Sequence, residues 1–268
     1  MSNTMLADKS YQLILSDCLN GEKVVTRGHT CYRTIGMSAT FHETPLVCLR
    51  KTSWKNCLRE WEWFMSGSDT IDDLDPRVRH WWEPFADDGR VLYNYGVQFR
   101  DFKGHSYDIH SLDQIDYLVH GIKDHPHSRR NVITTWNTAD MAEPGNPLTN
   151  CHGTVIQAFV THGKLSLLTY QRSVDVIVGL PHNWLQYWAF LLWLSHKTGL
   201  EPSGLTWIGG DIHVYEQHLD LAGRILSQRQ QVSPKLVYKS TNQDFLACDF
   251  RLEGDYKPAI TEYTEMIV

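Results

Sequence analysis

Residues 184–197 read Trp-Leu-Gln-Tyr-Trp-Ala-Phe-Leu-Leu-Trp-Leu-Ser-His-Lys, and their apolar side chains fall on every face of a helix. A helix that is apolar all round has to be buried all round. The apolar run itself, residues 184–194, is too short to span a bilayer, which takes roughly 20 residues. The rest of the chain must therefore wrap around this helix. With 268 residues, 42% of them hydrophobic and 21% charged, it has the material to do so.

The wrapping elements follow from periodicity. Helical spacing predicts helices over 11–19, 54–65, 112–122 and 216–227. Alternating or short apolar runs predict strands over 34–41, 46–49, 131–136, 155–160, 165–170, 205–208 and 235–237. His162-Gly163 is placed as the turn of a hairpin, and Ser66-Gly67 as a helix stop. No repeat, low-complexity linker or composition break divides the chain, so residues 1–268 are expected to form one domain. The pattern predicts an α+β fold: a mixed or mainly antiparallel sheet packed with helices around a buried central one.

The net charge of −6 argues against a dedicated nucleic-acid binder. The six cysteines form no CxxC pair, which suits reduced thiols. With no basic-then-apolar start, a soluble cytoplasmic protein is expected. The ten tryptophans suggest an aromatic-lined cleft or a large interface. No glycine-rich phosphate loop, Walker sequence or dinucleotide fingerprint is present.

The strand predicted at 165–170 runs into Gln171, Arg172, Ser173 and Asp175. A guanidinium, a hydroxyl and a carboxylate this close together suit an anion and a polar ring better than a core. Cys151, in a loop context beside His152, is the leading nucleophile candidate, and a nearby arginine such as Arg172 would lower its pKa. Arg27, Arg129, Arg130 and Arg172 are candidates for a phosphate cradle. Asp211, His213 and His218 invite a metal reading. However, His213 and Tyr215 share one strand face, which suits a ligand hydroxyl equally well, and no metal is expected. Glu60, set among Leu58, Trp61, Trp63 and Phe64, is either exposed or buried with a raised pKa fit for proton transfer. Glu62 points elsewhere and is expected to be solvated.

These residues, in this order, resemble the thymidylate synthase family. The match runs over essentially the whole chain. It takes in Glu60 within Arg-Glu-Trp-Glu-Trp-Phe, Tyr95-Gly96 with Gln98 and Arg100, and Asp113-Gln114. It continues through Ser128-Arg129-Arg130, Trp136-Asn137, Cys151-His152 and Gln171-Arg172-Ser173-x-Asp175. It closes with Gly179-Leu180-Pro181-x-Asn183, Gly210-Asp211-x-His213-x-Tyr215 and Met266-Ile267-Val268.

The resemblance implies a homodimer formed through one face of the sheet. It implies that Cys151 adds to C6 of a pyrimidine deoxynucleotide, with Glu60, Tyr95 and His152 running the water and proton network. Arg27, Arg172 and Ser173 would bind phosphate, joined by Arg129 and Arg130 from the neighbouring subunit. Gln171 would help bind the nucleotide, Asn183 would meet the base edge, and His213 and Tyr215 the sugar hydroxyl. Trp82, Asp175, Gly179, His182 and Val268 would face 5,10-methylenetetrahydrofolate.

The departures from the family pattern are Arg27-Gly28-His29-Thr30 after the first arginine, Asn150 before Cys151 and His182 for a phenylalanine. Asn94-Tyr95-Gly96, Ile35-Gly36-x-Ser38 and Arg59-Glu60-x-Glu62-Trp63 look more like the phage nucleotide hydroxymethylases of the same family. Those enzymes add water to the same intermediate that a synthase reduces with hydride. Asn183 favours uracil, although a reoriented amide would admit cytosine. The expectation is a folate-dependent dUMP hydroxymethylase, acting in the host cytoplasm if phage-encoded, with thymidylate synthase as the alternative and dCMP modification a lesser one.

Overall fold

The chain forms, in order, α1 (Ala7–Leu19), β1 (Glu22–Thr26), β2 (His29–Ile35), β3 (Ser38–Phe41), α2 (Trp54–Ser66), α3 (Tyr95–Arg100), β4 (Phe102–Lys103) and β5 (Ser111–Leu112). There follow α4 (Gln114–Asp124), β6 (Val132–Thr134), β7 (Thr154–Thr161), β8 (Lys164–Asp175), α5 (Leu180–Thr198), β9 (Glu201–Tyr215), α6 (Leu219–Leu226), β10 (Lys235–Tyr238) and β11 (Phe250–Glu253). This is a computed structural model, which describes residues 6–103, 111–138, 140, 153–241 and 243–267. Cys151, His152 and Val268 lie outside the described residues.

The main sheet has seven strands in the order β1-β2-β9-β8-β7-β6, with β3 also on β9. β8 and β9 are parallel, and the other pairs are antiparallel. A parallel pair needs a crossover, and α5 supplies it. The sheet is thus mixed and the fold α+β, as the sequence pattern predicts.

α5 is the central buried helix. Trp184, with no exposed surface, packs on the sheet through Phe41 at 4.7 Å and Trp207 at 5.7 Å between ring centroids. On its other side Trp61 of α2 meets Tyr187 at 5.8 Å and Phe190 at 5.7 Å. Removing a ring such as Trp184 from this layer costs about 3–5 kcal/mol. Gly199, in the left-handed region at φ 73°, ends the helix.

The predicted strand at 46–49 is not a strand. The segment is fully buried yet irregular, because groups from distant parts of the chain take its backbone bonds. Cys48 N–H donates to Asp8 Oδ1 at 2.7 Å, Ser233 Oγ to Leu46 O at 2.6 Å and Tyr256 OH to Val47 O at 3.1 Å. The predicted strand at 34–41 is broken at Gly36, whose φ is 75°. Its halves, β2 and β3, pair with successive stretches of β9, and this extends the short strand predicted at 205–208 to the 15 residues of β9. The helix predicted from 112 starts at Gln114, because Asp113 caps it by accepting from Asp116 N–H at 2.9 Å. The β1–β2 hairpin had no periodic signal: β1 is largely exposed and most of β2 is half-buried on both sides.

Candidate active site

Register brings the polar ends of β8 and β9 together. Ser173 stands opposite Asp211, and Asp175 opposite His213. These strand ends, the first turn of α5 and the inner face of α2 enclose a cavity of about 490 Å³. Its lining includes Arg27, Glu60, Trp82, Tyr95, Gln171, Arg172, Ser173, Asp175, Gly179, His182, Asn183, His213 and Tyr215.

A chain of hydrogen bonds crosses the cavity wall from the sheet to α2. Trp207 Nε1 donates to Gln171 Oε1 at 3.0 Å, and Gln171 Nε2 donates to Asn183 Oδ1 at 2.9 Å. Asn183 Nδ2 donates to Gln186 Oε1 at 3.2 Å, and Gln186 Nε2 donates to Glu60 Oε2 at 2.7 Å. The direction of this chain is set at both ends. An indole N–H can only donate, so Gln171 must turn its oxygen to Trp207. Gln186 Nε2 also donates to Cys57 O at 2.9 Å, a group that can only accept. The amide of Asn183 therefore has one orientation, with one N–H and one oxygen lone pair left over.

Glu60 is partly buried and faces the cavity. Burial pushes its carboxyl up to about 7, against the pull of hydrogen bonds from Trp82 and Gln186. Of the two alternatives, exposed or buried with a raised pKa, the fold gives Glu60 the second. Glu62 points away, as expected, but it is half-buried and accepts from Ala247 N–H at 2.9 Å.

The basic end is built on a turn. Arg27 (φ 49°) and Gly28 (φ 78°) form the two-residue link between β1 and β2, a left-handed turn that suits the twist of a hairpin. Arg172 lies over the Trp136 ring at 4.8 Å, and its backbone N–H donates to Gly153 O at 3.1 Å. Arg50, which the sequence did not single out, is buried in the same wall, and its Nη1 makes no hydrogen bond among the described residues.

On the other side Trp81, Trp82, Phe85, Val178 and His182 form an apolar slot, and residues 261–264, 266 and 267 also line the cavity. Asp175 Oδ1 accepts from the N–H groups of Ile177 at 2.7 Å and Val178 at 3.2 Å. Its Oδ2 is buried and makes no hydrogen bond among the described residues. Such an acceptor suits a ring that presents N–H groups. His182 spends both ring nitrogens on the protein. Nδ1 meets Val178 O at 2.9 Å, and Ser53 N–H donates to Nε2 at 3.1 Å. Burial pulls its pKa down to about 4, so the ring is neutral and donates through Nδ1.

Arg129 and Arg130 are exposed on the turn before β6 and are not among the lining residues of this cavity. Sequence reasoning missed Gln186, Trp207 and Arg50. For Gln186 a signal existed: it is a lone carboxamide within the apolar run of α5. Among the described residues no three His, Cys, Asp or Glu gather to hold a metal ion, and no helix is long and apolar enough to cross a membrane.

The cavity thus combines arginines, an amide of fixed direction and an aromatic slot, groups that can hold an anion, a polar ring and a flat apolar face. The family model for thymidylate synthase matches residues 9–268, and the chain belongs to that family. The family's enzymes are folate-dependent one-carbon transferases that act at C5 of a pyrimidine nucleotide.

Proposed function

We propose that this protein converts dUMP to 5-hydroxymethyl-dUMP. The observation that carries the choice of base is the direction of the Trp207–Gln171–Asn183–Gln186–Glu60 chain. The spare Asn183 N–H matches O4 of uracil and the spare lone pair matches its N3–H. Cytosine presents the opposite pattern, and reversing the amide would place donor against donor at Gln171 and acceptor against acceptor at Gln186.

In this reading Cys151 adds to C6, and Arg172, whose backbone N–H bonds to Gly153, two residues after Cys151 in the chain, keeps the thiolate charged. Arg27, Arg172 and Ser173 hold the phosphate, and His213 and Tyr215 the sugar. Arg129 and Arg130, exposed and away from this cavity, serve the site of a second subunit in a homodimer. Trp82, Asp175, Gly179, His182 and Val268 hold the methylenetetrahydrofolate, which supplies the one-carbon unit when bound. The buried Asp175 Oδ2 fits the N–H groups of its ring. Glu60, with a pKa of about 7, takes and returns protons at neutral pH, with Tyr95 and His152 completing the network.

Water as the final reactant is supported by Glu60, a cavity-facing carboxylate that titrates near neutral pH and can deprotonate water; His182, with both ring nitrogens bonded to the protein, has none left for a water. Reductive methylation to dTMP is the second reading. It is favoured by Trp82 and the 261–267 segment, both on the cavity wall. One assay separates them: incubation with dUMP, or with dCMP, plus methylenetetrahydrofolate, with the product weighed by mass spectrometry. A hydroxymethyl product from dUMP without dihydrofolate is expected. A methyl product with stoichiometric dihydrofolate overturns the water step, and preferential use of dCMP overturns the choice of base.

A further inference from the structure

Behind the sugar end of the cavity lies a row of charges that the reading above leaves unused. Glu22 of β1, Arg33 of β2 and Asp211 of β9 stand in line with His213. Arg33 Nη2 donates to Glu22 Oε2 at 2.9 Å, and Arg33 Nη1 to Asp211 Oδ2 at 3.3 Å. The other carboxylate oxygen, Asp211 Oδ1, lies 2.9 Å from His213 Nδ1. Strand pairing holds the row in place, since Arg33 is directly opposite His213 and Ile35 opposite Asp211. His213 is buried except for 8% of its surface and lines the cavity. Tyr215 packs edge-on against its ring at 5.1 Å. Among the described residues nothing bonds to His213 Nε2.

We propose that Asp211, itself anchored by Arg33, is a positioning residue that fixes His213 in the Nδ1–H tautomer, so that Nε2 offers a lone pair to the cavity and selects a nucleotide whose sugar hydroxyl is free to donate. The proposal rests on the nucleotide reading given above. Its logic uses donor and acceptor inventories alone. An ionised carboxylate only accepts, so the imidazole nitrogen facing it must carry hydrogen. The hydrogen bond from His213 is the leading cause holding Asp211 below the usual carboxylate range. The second nitrogen of a neutral imidazole is then an acceptor. A hydroxyl satisfies it. A fluorine, an ether or a phosphate ester at the same carbon sets lone pair against lone pair, so the site takes free mononucleotides and rejects nucleotides joined through that oxygen.

Asp211→Asn tests this without changing shape. Arg33 only donates, so it claims the amide oxygen and turns the amide N–H toward His213 Nδ1. Nδ1 must then accept, and the hydrogen moves to Nε2. A carboxylate-to-carboxamide change beside a histidine is known to invert the tautomer in this way. The tautomer is read on the free protein, above neutral pH, from long-range 15N correlation spectra, with the His213 signals identified by their loss in His213→Gln. The parent should show Nδ1–H and Asp211→Asn should show Nε2–H. Adding Arg33→Met to Asp211→Asn frees the amide oxygen and should restore Nδ1–H.

Equilibrium binding gives the second readout, with dUMP compared against its 3′-fluoro-2′,3′-dideoxy counterpart. The parent should prefer the hydroxyl by about tenfold, the scale of leaving a buried acceptor unpaired. In Asp211→Asn that ratio should fall toward one, a change that general loosening of the fold would not produce. The same tautomer in parent and variant, or an unchanged ratio, overturns the proposal. Failure of both nucleotides to bind the parent would instead fault the nucleotide reading, and the spectra decide the tautomer without them.

Discussion

Trp82 Nε1 stands 2.6 Å from Oε1 of Glu60. Gln186 holds the other oxygen, so each carboxylate oxygen has a fixed donor, and the group cannot rotate away as it gains or loses its proton. The indole that forms one wall of the slot therefore also orients the carboxylate of the opposite wall. This couples the two halves of the cavity: whatever shifts Trp82 also shifts the proton-handling group.

Glu60 should make stability fall as pH rises. Its folded pKa of about 7 lies above the ordinary glutamate value of 4.5, so the folded state holds the proton more tightly than the unfolded chain. The stabilisation is complete below about 4.5 and is lost as pH rises through about 7, amounting to up to about 3 kcal/mol. Urea unfolding of the parent and Glu60→Gln, compared across this window, should show the difference in stability changing by that amount. A constant difference would mean that Glu60 titrates normally.

His182 should act in the opposite sense. Its pKa is lowered from 6.5 to about 4, so the folded state binds the proton less tightly. Its contribution is present above about 6.5 and is lost as pH falls through about 4, again up to about 3 kcal/mol. In the parent the two effects partly cancel between about 4.5 and 6.5. His182→Gln should therefore lose less stability on acidification than the parent, as followed by thermal melts from pH 7 down.

Trp207→Phe removes the donor that sets the direction of the amide chain. Gln171 is then free to turn and Asn183 keeps its direction through Gln186 alone, so discrimination between dUMP and dCMP in kcat/KM should drop by up to about tenfold, or about 1.4 kcal/mol. Asn183→Asp should go further and favour dCMP. Unchanged base preference in both variants would remove the argument for uracil.

Cys151→Ser should abolish turnover while leaving nucleotide binding, measured by equilibrium titration, within a few-fold of the parent. Mixing inactive Cys151→Ser with an inactive Arg130 variant should restore part of the activity, because one site in each mixed dimer is intact. No recovery on mixing would count against arginines shared between subunits.

Much of the architecture was legible in the sequence. Residues 184–197 had to be buried because no face of that helix was polar. His162 and Gly163 had to turn, and they do so with φ values of 51° and 74°. The polar end of β8 suited a core poorly, and Gln171 to Asp175 line the cavity. These properties are local: a face, a turn or an alternation is complete within a dozen residues.

What the tertiary structure decided are the pairings between distant residues. Residues 46–49 looked like a strand because they are apolar, but Asp8, Ser233 and Tyr256 take the hydrogen bonds that a neighbouring strand would have taken. Spacing left Glu60 either exposed or buried, and the packing of α2 against Trp82 and Gln186 chose between them. The direction of the Asn183 amide depends on Trp207 and Gln186, and Asp211, which faces His213, is anchored by Arg33, 178 residues away in the chain. Apolar periodicity reports which side of an element is buried. A hydrogen bond further requires a donor and an acceptor to meet at one distance and angle, and the register and crossover that bring them together exist once the chain has folded.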